Sequence, residues 1–455
     1  MRADFITVDR TTPYILPPSM EDWLPENHLA RFIVEVVSSL DLTSFREAYA
    51  GRGSKPYDPS VLLSLLFYGY ATRTFSSRKI EAATYDSIAF RYIAAGGHPD
   101  HDTIASFRKR FLKEIEALFV RILQIAHAMG FQKMGVVSID GTKVKANASK
   151  HRALSYKHAL KLEKQLKAEV DRLLELAEQA DRNEIAPETD IPEELRRRND
   201  RLRIIAKAKE EIERRANDRY EKKMQEHEQK TAERKRREEN TGKKTPGSIP
   251  QTPKPGPKDK DQVNLTDEQS RIMPVSGGGF EQAYNAQAVV DNESGLLLSN
   301  HVSSSSVDRK ELEPALDNLE NLPDELGKPE AVLADAGYYS RSNVERCERD
   351  SITPYISIGR EQHNRSLEDW IKVRKTPEPD TKDPVVLMAH RLKTPEGGKI
   401  YGERKANIEP VFGIIKQVMG FRQFLLRGFK AAEGEWNLVC CSYNLKRMHR
   451  MFAAG

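Results

Sequence analysis

The sequence predicts a mixed α/β fold, a sheet flanked by helices, that carries an all-helical N-terminal region and is interrupted by a long helical insertion. Three observations predict it. Two separate β-branched, apolar runs, Gly135-Val-Val-Ser-Ile and Ala331-Val-Leu-Ala, each end in an aspartate, Asp140 and Asp335. Before the first of them, apolar residues recur at helical rather than alternating spacing. Between about Lys150 and Asn240 the chain is dominated by Lys, Arg, Glu, Gln and Ala, the composition of long solvated helix.

The elements follow in order. Leu29, Phe32, Ile33, Val36, Val37 and Leu40 mark a first helix, and Asp58-Pro59 opens a second through Leu62, Leu63, Leu66 and Phe67. Segments starting at Ser76 and Asp102 begin with capping residues and carry basic side chains, Arg108 and Lys109 among them, that suit either a solvated face or DNA phosphates. After the strand ending at Asp140 comes the insertion, with Leu162, Leu166, Leu173 and Leu176 as its stripe and Pro187 and Pro192 at the turn of a hairpin. The stretch from Gly242 to Lys258, rich in Pro, Gly and Lys, reads as a flexible linker. Strands return at Tyr284–Asp291 and Leu296–Val302, joined as a hairpin, followed by a helix from Arg309 to Leu322, the strand ending at Asp335, a helix, and a strand from Thr353. The expected organisation is 1–130 helical and DNA-binding, 131–149 the first part of the core, 150–240 insertion, 241–275 linker, and 276–455 the rest of the core with C-terminal helices.

Composition bounds the function. A net charge of +5 over 455 residues is a mild basic bias that makes the placement of cations matter more than their sum. Three cysteines, Cys347, Cys440 and Cys441, offer no CxxC pair and no disulfide framework, which suits a reducing cytoplasm. The longest apolar stretch, Val61–Tyr70, is too short to span a bilayer, so no membrane partner is expected.

Two strand-end aspartates and a later helical glutamate, Glu409, offer three carboxylates that could meet at one sheet edge. Oxygen-only ligands of this kind suit Mg²⁺, with Mn²⁺ as a substitute, and a pair of such ions serves phosphoryl transfer. Helical spacing places Lys405, Glu409 and Lys416 on or near one face. Asp291 reads as a hairpin turn, Asp308 as a helix cap and Trp436 as core. The cationic run from Phe421 offers Arg422, Arg427 and Lys430 to a phosphate backbone.

Four motifs, Ser138-Ile-Asp140-Gly-Thr, Tyr284-Asn-Ala-Gln, Leu333-Ala-Asp335-Ala-Gly-Tyr and Arg404-Lys-Ala-Asn-Ile-Glu409-Pro-Val-Phe-Gly-Ile-Ile-Lys416, give the chain its resemblance to insertion-sequence transposases of the DDE type. The resemblance extends over the N-terminal helices from Ser19 to Phe111 and leaves out the insertion and linker. It implies a ribonuclease H-like core, two divalent cations held by Asp140, Asp335 and Glu409, and phosphate contacts from Tyr401, Arg404 or Lys405, and Lys416. It further implies double-stranded DNA as partner, a homodimer or higher oligomer when paired ends are held, and a prokaryotic, nucleoid-associated protein. The implied activity is cleavage at the element's ends and transfer of the 3′-hydroxyls into target DNA. A nuclease of the same fold that does not join, and a silent DNA-binding descendant, are the rival readings. Four residues separate Arg404 from Glu409 where many relatives have three, which leaves the basic position between Arg404 and Lys405.

Overall fold

The computed structural model describes residues 19–49, 55–183, 190–242, 248–275, 277–359, 377 and 379–454. Among the described residues, seven α-helices form the N-terminal region: α1 (Leu29–Ser38), α2 (Thr43–Glu47), α3 (Pro59–Ala71), α4 (Ser77–Asp86), α5 (Ile88–Ile93), α6 (His101–Arg110) and α7 (Leu112–Ala128). Asp58 caps α3 by accepting from the Ser60 amide, with Pro59 pre-set in the first turn. The cap of α6 is Asp100, which accepts from the Thr103 amide; Asp102, expected to cap, lies inside the first turn. Leu62 to Ala71 of α3 are all buried, which explains why this helix is apolar all round.

The sheet begins with β1 (Val136–Lys145), and a short β2 (Ala153–Ser155) leads into the insertion, α8 (Tyr156–Asn183) and α9 (Ile191–Thr241). The two arms join through a small core of their own, where Ala159 and Leu166 meet Ile205, Ala208 and Ile212. Lys209–Glu163 at 2.5 Å and Arg198–Glu169 at 2.9 Å tie the arms across their polar flanks. Pro192 stands in the first turn of α9; Pro187, expected at the hairpin turn, lies outside the described residues. The stretch expected to be linker holds two strands, β3 (Gln262–Asn264), paired with β2, and β4 (Arg271–Pro274), paired with the main sheet. Its proline-rich composition ends at Pro257, and the residues beyond it can supply ladder hydrogen bonds.

The chain continues through β5 (Phe280–Asp291), β6 (Leu297–Ser303), α10 (Leu312–Glu320), β7 (Ala331–Ala334), α11 (Arg341–Arg349) and β8 (Thr353–Ile356). It ends in α12 (Pro384–Arg391), α13 (Pro395–Gly413), a π-helical turn over Ile414–Val418, and α14 (Phe429–Phe452). Among the described residues the main sheet has six strands: β1 lies between β5, antiparallel, and β7, parallel, with β8 parallel beyond β7 and both β4 and β6 paired to β5.

One hydrophobic core joins the N-terminal helices to the sheet through α14. Residues Trp436 to Leu445 are buried, and their polar members find partners: Asn444 exchanges hydrogen bonds of 2.8 Å with the Leu297 backbone, and Trp436 Nε1 donates to the Gln287 carbonyl at 3.0 Å. Trp436 is therefore core, as expected. Cys347, Cys440 and Cys441 are free and buried. Among the described residues no helix is long and apolar enough to cross a membrane.

Candidate active site

Register brings the two strand-end aspartates together. β1 and β7 run parallel with Ser138 opposite Leu333, so two residues further on each strand Asp140 stands level with Asp335. β7 stops there because Asp335 turns the chain, its carboxylate accepting the Gly337 amide at 2.7 Å at the head of a short 3-10 turn. β1 runs on against β5, which places Gly141 opposite Gln287 and Lys143 opposite Asn285. A side chain at Gly141 would fall on the Gln287 amide and within 2.8 Å of Asn285 Oδ1, so it would have to displace the two amides that bond Asp308.

A third carboxylate joins the pair, and it belongs to Asp308. Expected as a helix cap, Asp308 caps nothing. Its Oδ1 accepts from Lys143 Nζ at 3.1 Å, Asn285 Nδ2 at 2.6 Å and Gln287 Nε2 at 2.9 Å. The signal in the sequence is the pair Asn285 and Gln287, alternating on one face of a strand and needing an acceptor between them. Burial first, and the charges of Asp335 and Asp308 with it, raise Asp140 from an ordinary 3.8 to about 6, against the lowering pull of the Gly141 amide and Arg404. The same three carboxylates stand around the buried Tyr338, whose hydroxyl donates to Gln287 Oε1 and whose ionisation burial and these charges push far upward.

Cations close the other side. Arg404 of α13 is buried and reaches Asp140 Oδ2 with Nη1 at 3.4 Å, whereas Lys405 is exposed. Lys416, in the π-helical turn, donates to the Lys143 carbonyl at 3.2 Å; burial, then Arg422 and Lys143, lower its pKa. Arg422 donates to the Lys416 carbonyl at 3.1 Å, and the segment around it pairs with the end of β1, where Phe424 N bonds the Lys145 carbonyl at 2.8 Å. Arg427 follows along the same edge, donating to the Asn147 carbonyl at 3.2 Å, and Lys430 is exposed in the first turn of α14.

Other expected residues stand apart. Glu409 is exposed on α13 and makes no hydrogen bond or ion pair among the described residues. Among those residues no three acidic, histidine or cysteine side chains are close enough to share a metal ion as they stand. Tyr401 packs half-buried against Ala331, Leu333 and Tyr355. Arg108 corrects its expected role: it is buried, donating to the Tyr70 hydroxyl at 3.0 Å and the Phe75 carbonyl at 3.1 Å, and faces no solvent that DNA could enter. Its neighbour Lys109 is exposed. Asp291 is buried at the end of β5, where it accepts from Ser294 and the Lys133 and Glu293 amides, as a hairpin-turn residue would.

Two family models match the chain. One, described as a transposase DDE domain, covers residues 245–445; the other, described as a transposase domain, covers residues 18–110. Asp335, Glu409 and Asp308 fall inside the first match, while Asp140 lies between the two. No curated protein and no solved structure matches the chain.

Proposed function

Because the chain belongs to the DDE transposases of insertion sequences, we propose that it cleaves DNA at the ends of its element and transfers the freed 3′-hydroxyls into target DNA. A ribonuclease H-like core is part of this reading. The sheet supports it: β6, β5 and β1 pair antiparallel in sequence, and β7 and β8 then add parallel on the far side of β1. The single observation that carries the reaction is the parallel register that sets Asp140 level with Asp335.

Divalent cations fit the residues present. Burial, and with it the charges of Asp335 and Asp308, raises Asp140 to about 6 even with Arg404 at 3.4 Å, so a cation beside Asp140 and Asp335 would relieve both burial and repulsion. The buried Oδ1 of Asn285, next to Gly141, has no hydrogen-bond partner, and the available donors are all hard oxygens. Asp140 and Asp335 would hold the cations, with Glu409 approaching from α13. Bound Mg²⁺ or Mn²⁺ supplies Lewis acidity to the attacking and leaving oxygens of an in-line displacement at phosphorus.

The protein's own groups bind and orient. Arg404 holds Asp140 from the helix side and keeps a buried Nε without a partner, a donor suited to a phosphate oxygen. Lys143 and Lys416 add positive charge beside the acids, and Arg422, Arg427 and Lys430 extend it along the edge a DNA strand would follow. The same arrangement serves cleavage and joining, because each is a displacement at a phosphodiester with the roles of water and 3′-hydroxyl exchanged.

The test is cleavage and joining of plasmid DNA that carries the gene's own flanks, with Mg²⁺ or Mn²⁺, comparing wild type with Asp335→Asn. Defined ends and joined products, absent in the variant, are expected. Cutting without joining would point to a nuclease, and binding without cutting under either metal would remove the chemistry from the carboxylates.

A further inference from the structure

A cavity of about 920 Å³ lies between the second arm of the insertion and the core, lined by α9 around Arg215 and Lys222, by Lys260 before β3, by Arg271 of β4, and by the loop after β6. Its charges are unevenly paired. Arg219 is bound to Asp261 at 2.6 Å, Arg214 to Glu211 and Asp218 at 2.8 Å each, and Lys310 to Glu226 at 3.2 Å. Lys222, Lys223 and Lys260 are exposed on its walls and make no hydrogen bond or ion pair among the described residues. Arg271 has backbone carbonyls as its only hydrogen-bond partners among the described residues, those of Glu268, Gln269 and Ser270. Burial, and then Arg215, bring its pKa down to about 10 against the pull of Glu211, so the cleft floor holds a half-buried cation that makes no ion pair among the described residues.

The cleft also adjoins the acid cluster. Ser304 and Ser305 form part of its wall, and Asp308 follows three residues later. Three residues span at most about 10 Å, so a phosphate chain lying in the cleft would reach the carboxylates within a few nucleotides. An acidic protein surface would have to match three lysines in one fixed arrangement, whereas a phosphodiester backbone repeats its charge along a groove of any such width.

We propose that this cleft between α9 and β4 binds the phosphate backbone of duplex DNA beside the scissile position, so that the insertion serves as the outer wall of the DNA channel. The proposal rests on the transposase reading and goes beyond it in giving the insertion a role. Lys222, Lys223 and Lys260 make the phosphate contacts, and Arg271 fixes the charge of the floor.

The experiment is an anisotropy titration of a labelled duplex carrying the gene's own flanking sequence, in chelator so that nothing is cut, over a range of salt. The full chain is compared with the triple variant Lys222→Gln, Lys223→Gln, Lys260→Gln, whose changes are all at exposed positions. Removing one lysine–phosphate pair lowers the slope of log affinity against log salt by about 0.9, so removing all three is expected to lower it by about 2.7, with at least a tenfold loss of affinity at low salt. A variant that binds with the wild-type slope and affinity overturns the proposal. So does a variant that keeps its DNA affinity but loses self-association in size-exclusion chromatography, which would make the face a protein contact. Failure of the wild type itself to bind duplex would bring down the transposase reading as well, and is distinguishable on that account.

Discussion

The guanidinium of Arg404 meets the carboxylate of Asp140 at 3.4 Å, tying α13 to the first strand of the sheet. Spacing alone leaves the basic position open between Arg404 and Lys405; burial separates them, since Arg404 has only 7% of its surface exposed and Lys405 faces solvent. Arg404→Gln is expected to lower cleavage by about 10²-fold, the usual loss for one preorganised charged donor at a reacting centre. Lys405→Gln should weaken binding at most severalfold and leave the rate at saturating DNA unchanged. Single-turnover cleavage with each variant decides it, and equal losses in both would remove the distinction.

Asp140 makes stability and activity pull in opposite directions. Its folded-state pKa is raised from 3.8 to about 6, so between those values the folded protein holds a proton that the unfolded chain has released. Stability therefore falls as pH rises through this window, by on the order of 3 kcal/mol once pH exceeds about 6. Asp140→Asn should be inactive yet more stable than wild type above pH 6, and the gain should vanish below about pH 4. Mg²⁺ should raise the wild-type melting temperature and leave that of the variant where it was. Urea denaturation at pH 4 and pH 7.5, with thermal melts in Mg²⁺, measures these effects; a variant less stable than wild type at the higher pH would contradict the account.

What could be read from the sequence is whatever depends on local pattern. β1 and β7 are apolar runs that end where their aspartates stand, and α8 and α9 announce themselves by charge and length. β4 is hidden, because Arg271–Pro274 is short and joins the sheet only through its partner Phe280–Ala283. Asp308 is hidden for a similar reason. Its role comes from Lys143, Asn285 and Gln287, residues of two other strands whose convergence is tertiary. Arg108 misleads because a basic residue in an amphipathic helix gives no local sign that a tyrosine hydroxyl and a glutamate far along the chain enclose it.

The amide pair beside Gly141 offers a test of the acid cluster that leaves the carboxylates untouched. Gly141→Ala drives a methyl group onto Gln287 and Asn285, the two amides that hold Asp308. A loss of cleavage of at least tenfold is expected, with a stability loss of about 1–3 kcal/mol typical of overpacking. Asp308→Asn removes the negative charge that pairs with Lys143 and turns one carboxylate oxygen into a donor, and should likewise cut activity, with Asp308→Glu recovering part of it. Wild-type rates in both Gly141→Ala and Asp308→Asn would show that the position of Asp308 has no bearing on the reaction.

The last relationship lies where the N-terminal helices meet α14. Glu435 is fully buried, accepting from the Tyr70 hydroxyl at 2.7 Å and from the Leu425 and Leu426 amides at 2.8 and 3.0 Å, while Arg108 donates to the same hydroxyl. Burial raises the Glu435 pKa, and these donors hold it down. Removing the carboxylate leaves a buried guanidinium without its counter-charge and two amides without acceptors. Glu435→Ala should therefore cost about 3–5 kcal/mol, and Tyr70→Phe about 1–2 kcal/mol because each neighbour loses one partner. Lys109→Ala, one residue from Arg108 but exposed, should change stability by less than about 0.5 kcal/mol. Urea midpoints for the three variants rank the effects. The segment joining the π-helical turn to α14 carries Arg422 and Arg427 and is pinned by Glu435 through Leu425 and Leu426, so Glu435→Gln should weaken duplex binding before it unfolds the protein. If Glu435→Gln keeps full duplex affinity, the pinning has no part in DNA binding and Glu435 serves stability alone.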